Sequence, residues 1–362
     1  MKTNTANAPW QPGILPPNPE LESWKVLKKL PSAHRALAEL KGVAGTIPNQ
    51  AILLNTLGLQ EAKDSSAVEN IITTQDELFK AGLNLTGWQT VSAKEVQNYV
   101  AALNTGFDLV RKNNLITANH ILKIQSVLEQ NKAGFRKLPG TVLKNEQTGE
   151  TVFTPPQDHE TIVKAMSNLE KYINNDSLSE VDFLVKVAVI HFQFESIHPF
   201  FDGNGRTGRI INILYLVQKS LLNLPILYLS RYINSNKAEY YHHLQQVREN
   251  GAWEPWILFM LDGIEKTSID TISLIMEIKN LMMDYKHRIR DDYKFYSQEL
   301  INNLFRHPYT KIEFIQKDLK VSRITAANYL NQLSKDGFLT KKKLGVGNYY
   351  INDPLFALFS RE

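Results

Sequence analysis

"HPFFDGNGRTGR", residues 198–209, is the stretch on which the reading of this chain turns. Its Gly203-Asn204-Gly205-Arg206-Thr207-Gly208 core fits G-x-G-x-x-G, the spacing of dinucleotide-binding turns. Such a turn needs a strand before it, a helix after it and an acidic ribose ligand about twenty residues on. The preceding segment, "SEVDFLVKVAVIHFQFESI", instead repeats Phe183, Val187, Ile190 and Phe194 at helical intervals. It is apolar on more than one side, as the central helix of a bundle would be. The residues after Gly208 are apolar helix and "LNLPILYLSRY", without a carboxylate. A P-loop is excluded too, because no Lys-Ser/Thr pair follows the last glycine.

A glycine-rich turn between two helices would satisfy the backbone pattern alone. It does not account for an imidazole, a carboxylate, an amide and two guanidiniums crowded between His198 and Arg209. Glycines let backbone N–H groups approach an anion, and the helix that follows offers the positive end of its dipole. Asp202 can hold a magnesium ion shared with phosphate oxygens. Arg206 and Arg209, three residues apart on the new helix, lie on one face and can clamp a polyphosphate. His198 at the mouth can take a proton near neutral pH. Together these groups equip the segment for phosphoryl or nucleotidyl transfer.

The rest of the chain is ordinary globular sequence. It has 362 residues, 43% hydrophobic and 22% charged, enough for two or three domains with a buried core. With no cysteine, disulfides, thiolate metal sites and thiol nucleophiles are excluded. Net charge is +4 and the pI about 8.9, a weak bias toward anionic partners. The polar, proline-rich start "MKTNTANAPWQPGILPPNPE" lacks a signal-peptide core, and no uncharged apolar run has membrane-spanning length. The expectation is a cytoplasmic protein that does not engage membranes.

Residues 1–24 read as an extended arm laid over the surface or onto a partner. Helical patterning runs from Trp24 to about Leu103; it includes "PSAHRALAELKG", with a Pro-Ser start and a closing glycine, and a polar break near Asp64 to Ser66. "GFRKLPGTVLKNEQTGETVFTPP" alternates as a β-hairpin around "NEQTG". A helix is expected over roughly 159–173, a buried one over "INILYLVQKSLL", and another through 239–262. Ile275, Ile278, Met282, Tyr285 and Ile289 then step along an amphipathic connecting helix. From about Ile301, helix, short turn, helix and a hairpin on "LGVGN" outline a winged helix-turn-helix module. The expected domains are 1–115, an arm and helical region; 116–265, the core carrying the motif; 266–300, the connector; and 301–362, the winged helix. The fold class is mainly α.

"HPFFDGNGRTGR" resembles the signature of the Fic family, H-P-F-x-[D/E]-G-N-G-R-x-x-R, at every fixed position. "TPP" closing the hairpin, "HFQFESIHPF", "LPILYLSRYI" and "YYHHLQQVRENGAW" are similar to the family as well, over roughly residues 10–265. The resemblance implies a helical bundle with a β-hairpin flap, and AMP transfer from ATP to a Ser, Thr or Tyr hydroxyl of a target protein or of the chain itself. It makes His198 the general base and Asp202 the ligand of Mg2+ bridging the α- and β-phosphates. Gly203, Asn204 and Gly205 become the anion cradle, continued by Thr207 and Gly208, with the Asn204 side chain supporting the α-phosphate. Arg206 and Arg209 hold the outer phosphates, Arg209 the γ-phosphate. A relative that phosphorylates its target has lysine where this chain has Gly205, which favours nucleotidyl transfer.

The same resemblance assigns Val152, Phe153 and Thr154 to the flap that adds a target segment as a strand, and Tyr240 or Tyr241 to the adenine side. "SSAVEN", residues 65–70, reads by itself as a helix start with a serine cap. It resembles the family's inhibitory motif, [S/T]-x-x-x-E-[G/N], through Ser65, Glu69 and Asn70. By that likeness Glu69 pairs with Arg209 and occupies the γ-phosphate position, so the enzyme is autoinhibited.

Other readings stay open on the sequence. The site can run in reverse and remove AMP, with Glu69 orienting a water. The chain can be a DNA-binding regulator with a Fic-like sensor, reading DNA through Ser322, Arg323, Thr325 and Asn328 with Lys341, Lys342 and Lys343 on the wing; winged helices also serve as protein-docking modules or homodimer contacts. A metal hydrolase built on His191, His198 and Asp202 is disfavoured, since His191 sits on an apolar helix face as a hydrogen-bonded core histidine would and no second carboxylate completes the set.

Overall fold

The computed structural model describes residues 8–81, 90–145, 148–306, 308–344 and 347–360. The centres of the two expected hairpin turns, 146–147 and 345–346, lie outside the described residues, as do residues 1–7. From residue 8 the arm crosses the chain's own helices. Leu15 and Leu21 are buried, and the Leu15 N–H donates to Asn168 Oδ1 at 2.8 Å.

Helix α1 (Trp24–Ala44) begins at a Ser23 cap and continues to Gly45. The Pro31-Ser32 pair is therefore an interior feature, not a start, and Gly42 does not close the helix. The buried stripe Val26, Leu30, Ala33, Leu37 and Leu40 runs straight through the proline, so packing of that face outweighs one missing backbone bond. Helix α2 (Gln50–Val68) likewise passes through Asp64 to Ser66 without a break, and Glu69 is its C-cap. "SSAVEN" thus ends a helix; Ser65 lies in the last turn and caps no start. Asn70 follows in the left-handed region at φ 62°.

Then come α3 (Gln75–Ala81), α4 (Val91–Asn113) and α5 (Ala118–Leu128). The antiparallel strands β1 (Leu143–Lys144) and β2 (Thr151–Phe153) form the expected hairpin. Helix α6 (His159–Asn174) precedes α7 (Phe183–Ile197), which starts at an Asp182 cap and buries every residue from Leu184 to Ile197. Helix α8 (Asn204–Gln218) leaves the glycine loop and packs beside α7.

Helix α9 (Leu229–Ser235) and α10 (Lys237–Asn250) come next, and Gly251 stops α10 at φ 63°. The helix expected through 239–262 is therefore two, because the left-handed glycine turns the chain before α11 (Trp253–Asp292). The first half of α11 lies along α1 and α7, where Trp256 Nε1 donates to the Ala188 carbonyl at 2.9 Å. Its second half buries Ile275, Ile278, Met282, Tyr285 and Ile289, the stepping residues of the sequence.

The C-terminal part consists of α12 (Gln298–Arg306), β3 (Tyr309–Lys311), α13 (Ile312–Leu319), α14 (Arg323–Lys335), β4 (Thr340–Leu344), β5 (Gly347–Ile351) and α15 (Asp353–Ser360). The strands form one antiparallel sheet in the order β3-β5-β4. These elements dock on the N-terminal region. Phe79 of α3 meets the rings of Tyr309, Phe356 and Phe359 at 6.2, 5.8 and 6.0 Å, and the Tyr309 hydroxyl donates to Asp76 at 2.5 Å.

Candidate active site

The site lies where α7 ends and α8 begins. His198 caps α7 in the left-handed region, φ 47°, with its N–H on the Phe194 carbonyl. Five residues later Gly203, at φ 75°, opens α8. No side chain caps that end of α8, so its first N–H groups point toward the loop as an anion-binding terminus does. Asn204 braces the loop: its Oδ1 accepts from the Phe200 N–H and its Nδ2 donates to the Phe200 carbonyl, both at 2.8 Å. Its amide is therefore engaged with the backbone, where the sequence reading aimed it at the α-phosphate.

The two arginines do share a face, and one carboxylate spans them. Glu69 Oε2 accepts from Arg206 Nε at 2.7 Å, and Glu69 Oε1 accepts from Arg209 Nη2 at 2.9 Å. Ser65 holds Arg209 a second time, its hydroxyl accepting from Nε at 2.7 Å and its carbonyl from Nη2 at 2.9 Å. Glu69 therefore pairs with both arginines, where the family resemblance implies Arg209. Burial would lower the Arg209 pKa, but the Glu69 charge holds it above the ordinary value. Asn70 ties the end of α2 to α10, accepting from Lys237 Nζ at 2.9 Å. Gly205 faces this fork directly.

Arg206 is ringed by further carboxylates, of which only Asp202 belongs to the motif. Glu95 Oε2 accepts from Nη1 at 3.1 Å, while Glu129 Oε1 and Asp202 Oδ1 lie 3.0 and 3.8 Å from Nη2. Burial, partly offset by Arg206, pushes Glu129 up to about 7. Glu195, buried on α7 near Arg209 and Arg248, is raised to about 7 by the same cause. Gly208 and Thr207 are buried one turn into α8, with Gly208 packed against Glu195 and Phe194, so they seat α8 on α7 more than they line the loop.

Burial, reinforced by the charges of Arg136 and Arg248, drives His198 down to about 3. The ring is therefore neutral at physiological pH and can accept a proton, but it is far less basic than the near-neutral imidazole expected from the sequence. Arg136 Nε donates to the His198 carbonyl at 2.7 Å. His191 is also held near 3 by burial, and its Nε2 lies 2.8 Å from the Tyr240 hydroxyl. This is the hydrogen-bonded core histidine expected, and it is remote from ligand duty. Tyr240 is buried against Trp256 (5.8 Å between rings) and is a core residue, so the adenine-side assignment does not suit it. Tyr241 is 48% exposed.

On the hairpin, Val152 is exposed while Phe153 and Thr154 are buried. The Arg248 guanidinium lies 3.8 Å over the Phe153 ring. The Trp10 N–H from the arm donates to the Thr154 carbonyl at 2.8 Å, so the chain's own arm pairs at the base of the strand expected to dock a target.

Among the described residues no group of three or more His, Asp and Glu side chains is arranged to hold a metal. Asp202 presents a single, 75% exposed carboxylate at the loop. That suits a magnesium ion carried in on phosphate oxygens, which takes one or two protein carboxylates and keeps waters. It does not suit a resident ion held by protein alone.

A histidine at the mouth of a glycine loop, an uncapped helix start and two arginines mark a fold of the Fic type. The chain belongs to the Fic family. Its residues 27–108 match the Fic/DOC family N-terminal region, 115–216 the Fic/DOC family domain, and 281–355 the C-terminal domain described as "Protein adenylyltransferase SoFic-like". Among curated proteins it is similar to protein adenylyltransferase Fic of Drosophila erecta, 27% identical over 169 residues, 45% of this chain and 32% of that protein. It is also similar to the Drosophila melanogaster protein of the same name, 30% identical over 102 residues, 28% of this chain and 19% of that one. The chain thus spans about a third or less of the length of these relatives. Among solved structures it shares its fold with a Fic family protein from Desulfovibrio desulfuricans at TM-score 0.60 and 18% identity, covering 92% of this chain and 98% of that one. C. elegans Fic-1 follows at TM-score 0.52 and 20% identity, over 68% and 72%.

Proposed function

We propose that the chain is a protein adenylyltransferase that transfers AMP from ATP to a hydroxyl side chain of a target protein or of itself, and that Glu69 restrains it. The observation that carries this reading is the Glu69 carboxylate forked across Arg206 and Arg209 at the glycine loop. A triphosphate that needs those guanidiniums must displace it.

In the reaction, His198 takes the proton of the attacking hydroxyl. The new bond joins that oxygen to the α-phosphorus while the bond to the bridging oxygen breaks, and pyrophosphate leaves with the electron pair. The N–H groups at the start of α8 hold the charge that develops on the α-phosphate, and Arg206 and Arg209 hold the outer phosphates. Magnesium, bound beside Asp202, would neutralise phosphate charge. The flap offers Val152 to the target. Gly205 leaves no ammonium at the loop of the kind a phosphorylating relative has, which supports nucleotidyl over phosphoryl transfer.

Residues 1–115 then form the restraining region, 116–265 the catalytic core, 266–300 the connector and 301–362 a winged-helix module, and the protein works in the cytoplasm. No helix among the described residues is long and apolar enough to cross a membrane. DNA reading by the C-terminal module has less support: Arg323 is paired with Glu313 at 2.9 Å, and Lys341 donates to Asn331 at 2.8 Å. A homodimer through that module is a further arrangement to be tested by its mass in solution.

The test incubates wild type, Glu69→Gly and His198→Ala with labelled ATP and scores labelled protein. Glu69→Gly is expected to label at least about tenfold faster, since each charge-assisted bond it releases is worth roughly 1.5–3 kcal/mol. His198→Ala is expected to label nothing. Equal labelling by wild type and Glu69→Gly overturns the restraint. Loss of AMP from a premodified target, faster with wild type than with Glu69→Gly, would identify the reverse reaction instead.

A further inference from the structure

Arg136 lies after α5, in the "GFRK" stretch, and carries no motif. Its side chain is 1% exposed, and no carboxylate among the described residues pairs with it. Backbone carbonyls surround it instead: Nε donates to His198 at 2.7 Å, and Nη2 to Pro156 at 2.7 Å and to Ile197 at 3.4 Å. Its own N–H donates to the Pro199 carbonyl at 2.8 Å, and its carbonyl accepts from His159 Nδ1 at 2.7 Å. One residue therefore joins the end of α7, the loop, the exit of the flap and the start of α6.

A buried cation without a counter-ion is costly. Here the negative end of the α7 dipole compensates it, through the last carbonyls of the helix. His198 itself sits in a left-handed conformation, φ 47°, that a residue with a Cβ adopts only at a cost. A charged donor on its carbonyl offsets that cost and leaves the ring one direction. A lysine could keep the charge but not the fork, because only a guanidinium reaches His198 and Pro156 together.

We propose that Arg136 is a positioning residue for AMP transfer: by holding the His198 and Ile197 carbonyls on one side and the Pro156 carbonyl on the other, it sets the base and the flap strand in one rigid frame. The proposal rests on the reading of His198 as the base. It differs from a role in ATP binding, since Arg136 contacts no part of the glycine loop beyond Pro199, and from simple stabilisation, which would not alter how His198 titrates.

The experiment uses full-length protein in the Glu69→Gly background and compares Arg136→Met and Arg136→Lys with the parent. It measures kcat and KM for ATP, affinity for a fluorescent ATP analogue, and the pH dependence of kcat. The charged groups facing His198 are Arg136 and Arg248 from α10, and its ring is hydrogen-bonded to the backbone of Glu195 on α7. Removing one guanidinium lets the ring protonate at higher pH, so the acid limb moves up in Arg136→Met and stays in place in Arg136→Lys. Both variants are expected to lose kcat, about a hundredfold for the methionine, with ATP affinity unchanged. Guanidinium ion added to Arg136→Ala is expected to restore part of the rate.

A folded Arg136→Met with parental kcat and acid limb overturns the proposal. If that variant does not fold, parental kcat in Arg136→Lys overturns it. Should His198→Ala retain transfer, the base reading fails instead. The histidine NMR titration then decides for Arg136: a His198 resonance shifted by Arg136→Met supports the frame, and an unshifted one overturns it.

Discussion

Gly205 has no room for a side chain while Glu69 spans the arginines. A Cβ at that position would lie 2.6 Å from Glu69 Oε1 and 2.9 Å from Arg209 Nη1. Gly205→Ala is therefore expected to destabilise the chain by about 1–3 kcal/mol in chemical unfolding. The penalty is expected to shrink when Glu69→Gly is added, because the clash is lost; additive effects would show that the two positions do not meet. A buried carboxylate on α2 sets a pH dependence. Glu61 accepts from the Ser230 hydroxyl and N–H and from the Tyr99 hydroxyl, and burial raises it from 4.5 to about 8. The folded chain binds that proton more tightly than the unfolded one. Its contribution to stability is thus complete below 4.5 and lost as pH rises toward 8. Glu61→Gln is expected to flatten urea-measured stability across that window; an unchanged slope would remove Glu61 as the cause.

At the scale of elements, α7 depends on its cap. Asp182 accepts from the Leu184 N–H at 2.8 Å and from His34 Nε2 at 2.8 Å. Asp182→Ala is expected to cost about 1 kcal/mol through the cap alone. The Asp182 hydrogen bond, against partial burial, raises the His34 pKa, and that contribution is complete below 6.5 and lost as pH passes the raised value. Melting curves should therefore show a larger loss in mildly acidic buffer than in alkaline buffer. The helices that frame the loop are legible in the chain because their signals are local: Phe183 to Phe194 repeat at helical spacing, Asp182 caps α7, and the glycines mark the turn. Local signals misled where tertiary packing overrode them. Pro31 looks like a start but lies under a continuous buried stripe, and the polar Asp64–Ser66 stretch looks like a break but turns Ser65 onto Arg209. The family resemblance supplied Glu69. Nothing local could supply Glu95, Glu129 or Arg136, whose roles come from contacts made far along the chain.

Over the whole molecule, the C-terminal elements meet the N-terminal region twice, through α12 packed on α2 and through the ring contacts of α3. Phe79 is clasped by Tyr309, Phe356 and Phe359, and Asp76 accepts from Tyr309. Phe79→Ala is expected to speed amide exchange at residues 65–70 and, under the proposed restraint, to raise AMP transfer toward the rate of Glu69→Gly. Adding it to Glu69→Gly should change the rate no further. Exchange at 65–70 equal to wild type would show that the contact does not reach α2. Under the proposed restraint, the Tyr309–Asp76 and Phe79 contacts carry a reciprocity. If docking on α3 steadies Glu69, whatever binds the C-terminal elements more tightly when they stand apart from α3 favours ATP at the loop, and ATP at the loop tightens that binding by the same factor. The chain would then report nucleotide occupancy outward, to a partner that never touches the active site, as readily as it receives a signal inward.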